Sequence, residues 1–232
     1  MRVIKGAIFD IDGTLLDSMP VWENAGARYL ATLGIKARSD LKERLDALSL
    51  PEGALYMQTE YKLSVTIEEI LEGVNQVVKD FYFKEAMLKP GVCNLIQKLK
   101  KNQVRLIIAT ATDAEMAKAA LIRNGIWKDF DGMITCEEAG EGKTSPKVFE
   151  LAREHLQTKK EETWVFEDSL YAVKTASEAG FPVCSIYDAY SRDNTEEIRT
   201  FSDIYVKDFR EIKSCQVFWS KKQQLHRLSE RR

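Results

Sequence analysis

Asp10 and Asp12 stand two residues apart in the segment Asp10-Ile11-Asp12-Gly13-Thr14, directly after an apolar run. In an extended loop leaving a strand, that spacing sends both carboxylates toward one side, and Gly13 lets the backbone come close to a bound phosphate. Phosphoryl transfer needs a nucleophile in line, an acid for the leaving oxygen, and positive charge on the equatorial oxygens. One carboxylate of the pair can attack while the other handles protons.

Further segments offer the remaining parts. Thr110 ends an apolar run at 104–109, and with Ala111 and Thr112 it supplies hydroxyls and amides that could hold phosphate oxygens ahead of a helix. Lys143 lies in Gly142-Lys143-Thr144-Ser145-Pro146, where a helix opening at Pro146 would fix the ammonium at a loop. Glu167, Asp168 and Ser169 follow the run at 163–166, and adjacent acids at a strand end repel each other unless a cation or solvent compensates. Mg²⁺, a hard ion that prefers oxygen ligands, would be such a cation. Each piece in isolation also fits an ordinary structural part: a turn closing a strand, a commonplace strand-end threonine, a surface lysine, or a helix cap at Asp168 or Ser169.

The elements that must position these residues follow from periodicity. Short apolar runs at 3–9, 104–109, 163–166 and 182–186 each stop at polar residues, which predicts buried strands feeding loops. Helical periodicity fills 92–100, 114–124, 146–155 and 169–179, with Gly125 and Gly180 placed to end helices. This alternation predicts an α/β fold, a doubly wound parallel sheet with helices on both faces and ligands at the carboxyl ends of its strands. Residues 18–88 break the pattern, with amphipathic stretches at 22–33, 39–48, 51–63 and 66–83 and no convincing strand. They are expected to form an all-helical cap inserted into a core made of 1–17 and 89–232, with the return at Lys89-Pro90-Gly91.

Composition narrows the partners. A formal charge of −2 over 232 residues gives no overall attraction to nucleic acid or to an anionic membrane, so a small-molecule partner is expected. Cys93, Cys136, Cys184 and Cys215 are scattered, with no CxxC pair and no nearby histidine, and read as free thiols. The apolar stretches are too short for a membrane span or a signal peptide, which gives a cytoplasmic address by default. The basic segment from Trp219 reads as a terminal helix or solvated tail, and neither His155 nor His226 is at an expected strand end. Oligomeric state is left open.

In this order and spacing the four pieces, FDIDGTLLDS, IIATAT, GKTSPKVF and VFEDSLYAVKTASEAG, resemble the haloacid dehalogenase superfamily, whose core is Rossmann-like. The resemblance covers nearly the whole core, and ordered motifs on expected elements are far more specific than any one of them. It implies that Asp10 is a nucleophile forming an aspartyl-phosphate and that Asp12 is first general acid and then general base. It implies that Thr110, with Gly13 and Ala111 beside the phosphate, binds the phosphoryl group, and that Lys143 neutralises charge between nucleophile and phosphate. Asp168 would ligate Mg²⁺ together with the Asp10 carboxylate and the Asp12 carbonyl, with Glu167 acting through water. The insert resembles the helical cap of the branch containing phosphoglycolate phosphatase and β-phosphoglucomutase, where substrate choice would lie.

Some positions depart from that pattern. Thr144 and Lys147 replace a proline and an acid common in the third motif, and Ala172 replaces the glycine usual after Glu167-Asp168-Ser169. None removes a catalytic group. Trp22 stands where mutase-like members often carry a histidine, and indole has no acceptor nitrogen for proton handling. The expected activity is therefore hydrolysis of a small phosphorylated metabolite, with a β-phosphoglucomutase-like phosphomutase as the alternative. Dehalogenation needs neither Asp12 nor metal, and phosphonate cleavage would need an imine-forming lysine for which Lys36, Lys42 and Lys62 offer no distinctive context. Trp22, Arg28, Arg38, Arg44, Tyr56 and Tyr61 are candidate substrate contacts in the cap, though packing or solvation is the favoured account of each.

Overall fold

The computed structural model describes residues 4–46, 48–214 and 218, so the basic segment from Trp219, His226 and Cys215 lie outside the described residues. The chain forms two compact units, one of residues 1–17 and 87–232 and the other of residues 18–86.

The larger unit is built on a six-stranded sheet of order β3-β2-β1-β4-β5-β6. Its strands are β1 (Gly6–Phe9), β2 (Arg105–Thr110), β3 (Gly132–Thr135), β4 (Thr163–Glu167), β5 (Val183–Ile186) and β6 (Ile204–Val206). Every neighbouring pair is parallel. The central strands β1, β4 and β5 are buried along their whole length, which is why they read as continuous apolar runs. β3 and β6 are edge strands and were not among the expected strands: β3 opens on Gly132, β6 has 3 residues, and both are mostly half-buried. From β1 the chain goes to β2 on one side and, later, to β4 on the other. The order therefore reverses between β1 and β4, and the crevice beyond their carboxyl ends is the expected ligand position of a doubly wound sheet.

The smaller unit is all helical: α1 (Met19–Thr32), α2 (Leu41–Leu45), α3 (Leu50–Glu60) and α4 (Ile67–Lys84). Its core gathers Tyr29, Leu30, Leu41, Ala54, Met57 and Ile70. The start of α4 is fixed by a capping box, in which Thr66 Oγ1 accepts from Glu69 N at 3.2 Å and Glu69 Oε2 accepts from Thr66 N at 2.7 Å. A side chain at Gly73 would put its Cβ 2.1 Å from the Tyr29 ring, so glycine there lets α1 and α4 close on each other.

Helices α5 (Val92–Lys101), α6 (Ala114–Arg123), α7 (Cys136–Ala139), α8 (Lys147–Leu156), α9 (Leu170–Glu178) and α10 (Thr195–Phe201) complete the larger unit. In α5 the buried residues are Val92, Leu95, Ile96 and Leu99, the spacing of one helix face. On one side of the sheet Val148, Phe149, Ala152 and Leu156 of α8 and Ala172, Val173 and Ala176 of α9 pack with Ile8, Ile107 and Val165. These contacts fix the loops that lead into α8 and α9, where Lys143 and Asp168 sit. No helix among the described residues is long and apolar enough to cross a membrane.

Candidate active site

Register brings the first pair together. Phe9 of β1 is aligned with Phe166 of β4, and the next backbone N–H, that of Asp10, donates to Phe166 O at 3.0 Å. Asp10 and Glu167 therefore leave adjacent strands side by side. Asp10, Glu167 and Asp168 each offer a carboxylate oxygen within 4.8 Å of the others, and all three residues are buried.

Lys143 enters this cluster from the loop before α8. Its Nζ donates to Asp10 Oδ1, in a short contact, and to Glu167 Oε1 at 2.8 Å. The lysine is 4% exposed, so its ammonium is held by carboxylates rather than water. Burial works against its charge, but Asp10 and Glu167 outweigh it and hold the lysine firmly protonated. The surface-lysine alternative is thereby excluded.

Glu167 is a brace. Its Oε2 accepts from Asp168 N at 2.9 Å, Ser169 N at 3.0 Å and Ser169 Oγ at 2.9 Å. It thus takes orphan amides at the start of α9, while Ser169, at the cap position, makes no side-chain cap bond. With its other oxygen on Lys143, both Glu167 oxygens are engaged.

The turn after β1 is wound tightly. Leu15 N and Leu16 N both donate to Ile11 O at 2.8 Å, and Gly13 adopts a φ of +80°. Thr14, fully buried, donates from Oγ1 to Asp168 Oδ1 at 3.0 Å. Asp12 is half-buried, and its Oδ2 accepts a short hydrogen bond from Thr112 Oγ1. Thr110 is fully buried at the end of β2, where its Oγ1 accepts from Thr112 N at 3.0 Å. Ala111, next to it, is exposed. The structure thus draws Asp10, Lys143, Glu167 and Asp168 into one cluster, ties Asp12 to the end of β2 through Thr112, and lays Gly13 against Asp168.

Sequence reasoning missed Thr14, Lys89 and Asp188. Lys89 and Asp188 form a buried ion pair at 2.9 Å, and Lys89 Nζ also donates to Gly13 O at 2.6 Å. Nothing local marks Lys89 beyond its place before Pro90-Gly91. Asp188 lies two residues beyond β5, at one of the expected strand ends, but nothing in the sequence assigns it a partner or a role.

Electrostatics in the cluster are unbalanced. Burial, with repulsion from Glu167 and Asp12 and against the attraction of Lys143, pushes the Asp10 carboxyl up to about 7. Burial and then the charges of Glu167 and Asp10 push Asp168 well above the ordinary carboxylate range. Packed oxygen donors short of positive charge fit a hard divalent cation. Two carboxylates close together beside a fixed ammonium are groups of the kind that phosphoryl transfer uses.

A doubly wound sheet carrying this cluster at the point where its strand order reverses has the frame of a hydrolase that works at strand ends, and the family model described as haloacid dehalogenase-like hydrolase matches residues 7–186. The chain belongs to that family. The family is one of hydrolases, and relatives that the chain matches are named phosphatases. The chain is similar to a phosphorylated carbohydrates phosphatase of Thermotoga maritima, 28% identical over 76% of this chain and 82% of that one. It is similar also to hexitol phosphatase B of Escherichia coli (strain K12), 26% identical over 64% of this chain and 68% of that one. Among solved structures, CbbY of Rhodobacter sphaeroides in complex with phosphate superposes with a TM-score of 0.70 at 25% identity, covering 93% of this chain and 99% of that one.

Proposed function

We propose that this protein is a Mg²⁺-dependent phosphatase that hydrolyses a small phosphorylated metabolite through an aspartyl-phosphate on Asp10. The observation that carries the reading is the Lys143 ammonium held between Asp10 and Glu167 with Asp168 alongside, all buried at the strand ends. A buried lysine so placed favours the ionised form of Asp10 that attack requires, against the burial that raises its carboxyl.

An Asp10 oxygen attacks phosphorus as the bond to the leaving oxygen breaks, and Asp12 gives that oxygen its proton. Asp12, now a carboxylate oriented by Thr112, takes a proton from water, which attacks the same phosphorus. The bond from Asp10 to phosphorus breaks, inorganic phosphate leaves, and Asp10 is restored. Lys143 and the backbone amides at Ile11 and Ala111 carry the charge on the phosphoryl oxygens, with Thr110 as a further donor. The Asp10 and Asp168 carboxylates and the Asp12 carbonyl would hold Mg²⁺, with Glu167 reaching it through water. When bound, Mg²⁺ supplies the positive charge that lets a carboxylate and a phosphate dianion approach.

The substrate class is a phosphorylated sugar or sugar-like alcohol, a reading supported by the names of the phosphatases this chain resembles. The helical unit of residues 18–86, inserted between the turn after β1 and the return at Met87, is proposed as the cap that selects it. Hydrolysis is preferred to mutase chemistry because Trp22 Nε1 donates to Tyr82 OH at 3.1 Å, leaving no proton-accepting group on that side chain.

Phosphate release from p-nitrophenyl phosphate and a panel of sugar phosphates tests the reading. D10N should retain the fold and lose turnover, and excess EDTA should silence the wild type. Unchanged turnover in D10N would refute the nucleophile, and full activity in EDTA would refute the metal.

A further inference from the structure

Lys89 is buried beside the catalytic turn and has no part in the chemistry proposed above. An ammonium has three N–H donors. Those of Lys89 meet Gly13 O at 2.6 Å, Tyr187 O at 2.8 Å and Asp188 Oδ2 at 2.9 Å. With its donors taken up by fixed protein acceptors, the side chain is unsuited to gripping a phosphate and well suited to acting as a strut.

The strut joins separate parts of the larger unit. Asp188, just beyond β5, holds one end and is itself fixed by Tyr190 N donating to Oδ1 at 2.9 Å. The main chain of residue 89 adds a second attachment to the same turn, since Lys89 N donates to Leu15 O at 2.8 Å. Two residues earlier, Asp17 N donates to Met87 O at 2.9 Å, so the segments 15–17 and 87–89 run side by side. Pinning the Gly13 carbonyl sets the plane of the Gly13–Thr14 peptide. Thr14 then donates to Asp168 Oδ1 at 3.0 Å, and the bare Cα of Gly13 packs against the same carboxylate.

We propose that Lys89, anchored by Asp188, is a positioning residue for the metal-binding carboxylate: through the Gly13–Thr14 peptide it aims Asp168, and its loss weakens Mg²⁺ binding rather than substrate binding. The inference rests on Asp168 being a Mg²⁺ ligand, as read above. Partners of metal ligands outside the coordination sphere set ligand orientation, and their removal costs about 10–100-fold in metal affinity.

The test is a calorimetric titration of MgCl₂ into the full-length wild type, K89M, D188N and the K89M/D188N double variant, with thermal midpoints as the control for folding. K89M leaves a buried Asp188 carboxylate without its cation and should lower the midpoint. D188N in that background removes the orphaned charge yet still accepts from Tyr190 N, and should recover it. The expected result is a Mg²⁺ dissociation constant raised about tenfold or more in both K89M and the refolded double variant. The KM for p-nitrophenyl phosphate at saturating Mg²⁺ should stay near the wild-type value, and K89R should restore part of the affinity. A dissociation constant that returns to the wild-type value together with the midpoint in the double variant makes the pair a structural one only and overturns the inference. No Mg²⁺ binding by the wild type would overturn the metal reading itself and this inference with it.

Discussion

A Cβ at Gly13 would lie 2.4 Å from Oδ2 of Asp168. Contact that close leaves room for no side chain. Gly13 also has a φ of +80°, a conformation that L side chains rarely adopt. The glycine of the first motif therefore does more than turn the chain, since it lets the peptide between Asp12 and Thr14 lie flat against an acidic residue of the fourth. The obstacle in G13A is a buried carboxylate held by Thr14, not the end of a flexible side chain. G13A should destabilise the protein by about 1–3 kcal/mol through backbone strain and displacement of Asp168. Phosphatase turnover should fall about a hundredfold, because misplacement on the ångström scale costs that much in rate. Chemical denaturation and kcat measurement check both, and a G13A enzyme of wild-type stability would contradict the contact.

Thr112 tests the assignment of Asp12. Its hydroxyl donates to Asp12 Oδ2 while its amide is held by Thr110 Oγ1, so the end of β2 orients the carboxylate proposed to move protons. T112V keeps the shape and removes the donor. The expected change is a kcat reduced about 10-fold with KM little altered, since acid–base catalysis as a whole contributes about 10²–10⁴ and only its orientation is lost. T112S should restore most of the rate. An unaltered kcat in T112V would show that Asp12 needs no such support.

The raised carboxyl of Asp10 makes stability depend on pH and metal in a definite direction. Its value in the fold is about 7, above the ordinary 3.8, so between these limits the folded protein holds a proton that the unfolded chain has lost. That contribution is complete below the ordinary value and disappears as pH rises through about 7. In metal-free buffer the thermal midpoint of the wild type should fall between about pH 5 and pH 8, and Mg²⁺ should recover it at the upper end. D10N, with no titrating group at this position, should show a shallower fall. Identical pH profiles for the two proteins would mean that Asp10 ionises at its ordinary value.

Most of the candidate cluster was legible because each member terminates a buried strand or precedes a helix, and both kinds of element carry strong periodic signals. Asp10, Thr110 and Glu167 follow the apolar runs of β1, β2 and β4, and parallel pairing converts that shared position into adjacency. The tie between Lys89 and its partners had no comparable signal. Gly13 and Asp188 lie 76 and 99 positions from it, and a lysine before Pro-Gly looks like any solvated lysine. Thr14 was hidden for a related reason, since its hydroxyl meets Asp168 only once β1 and β4 are neighbours. β3 and β6 were missed because edge strands are half-buried and lack a continuous apolar run. Local pattern finds what one element does alone, and tertiary pairing decides the rest.

In the reading proposed above, the preference for hydrolysis over phosphoryl shuttling rests on Trp22 in α1. A mutase must return the phosphoryl group to a second hydroxyl, which calls for a group that handles protons on the substrate side as well as Asp12. The indole N–H of Trp22 is a donor only and is committed to Tyr82 OH, with the two rings packed edge to face at a centroid distance of 6.3 Å. Incubated with a hexose 1-phosphate and a trace of the corresponding bisphosphate, the enzyme should therefore release inorganic phosphate and form no isomerised hexose phosphate. W22H, which replaces the indole with a ring that can accept a proton, should not convert it into an efficient mutase, because a proton acceptor by itself does not keep water from a phosphorylated enzyme. Rapid isomerisation by the wild type with little free phosphate would reverse the assignment and make transfer to a sugar hydroxyl the main reaction of Asp10.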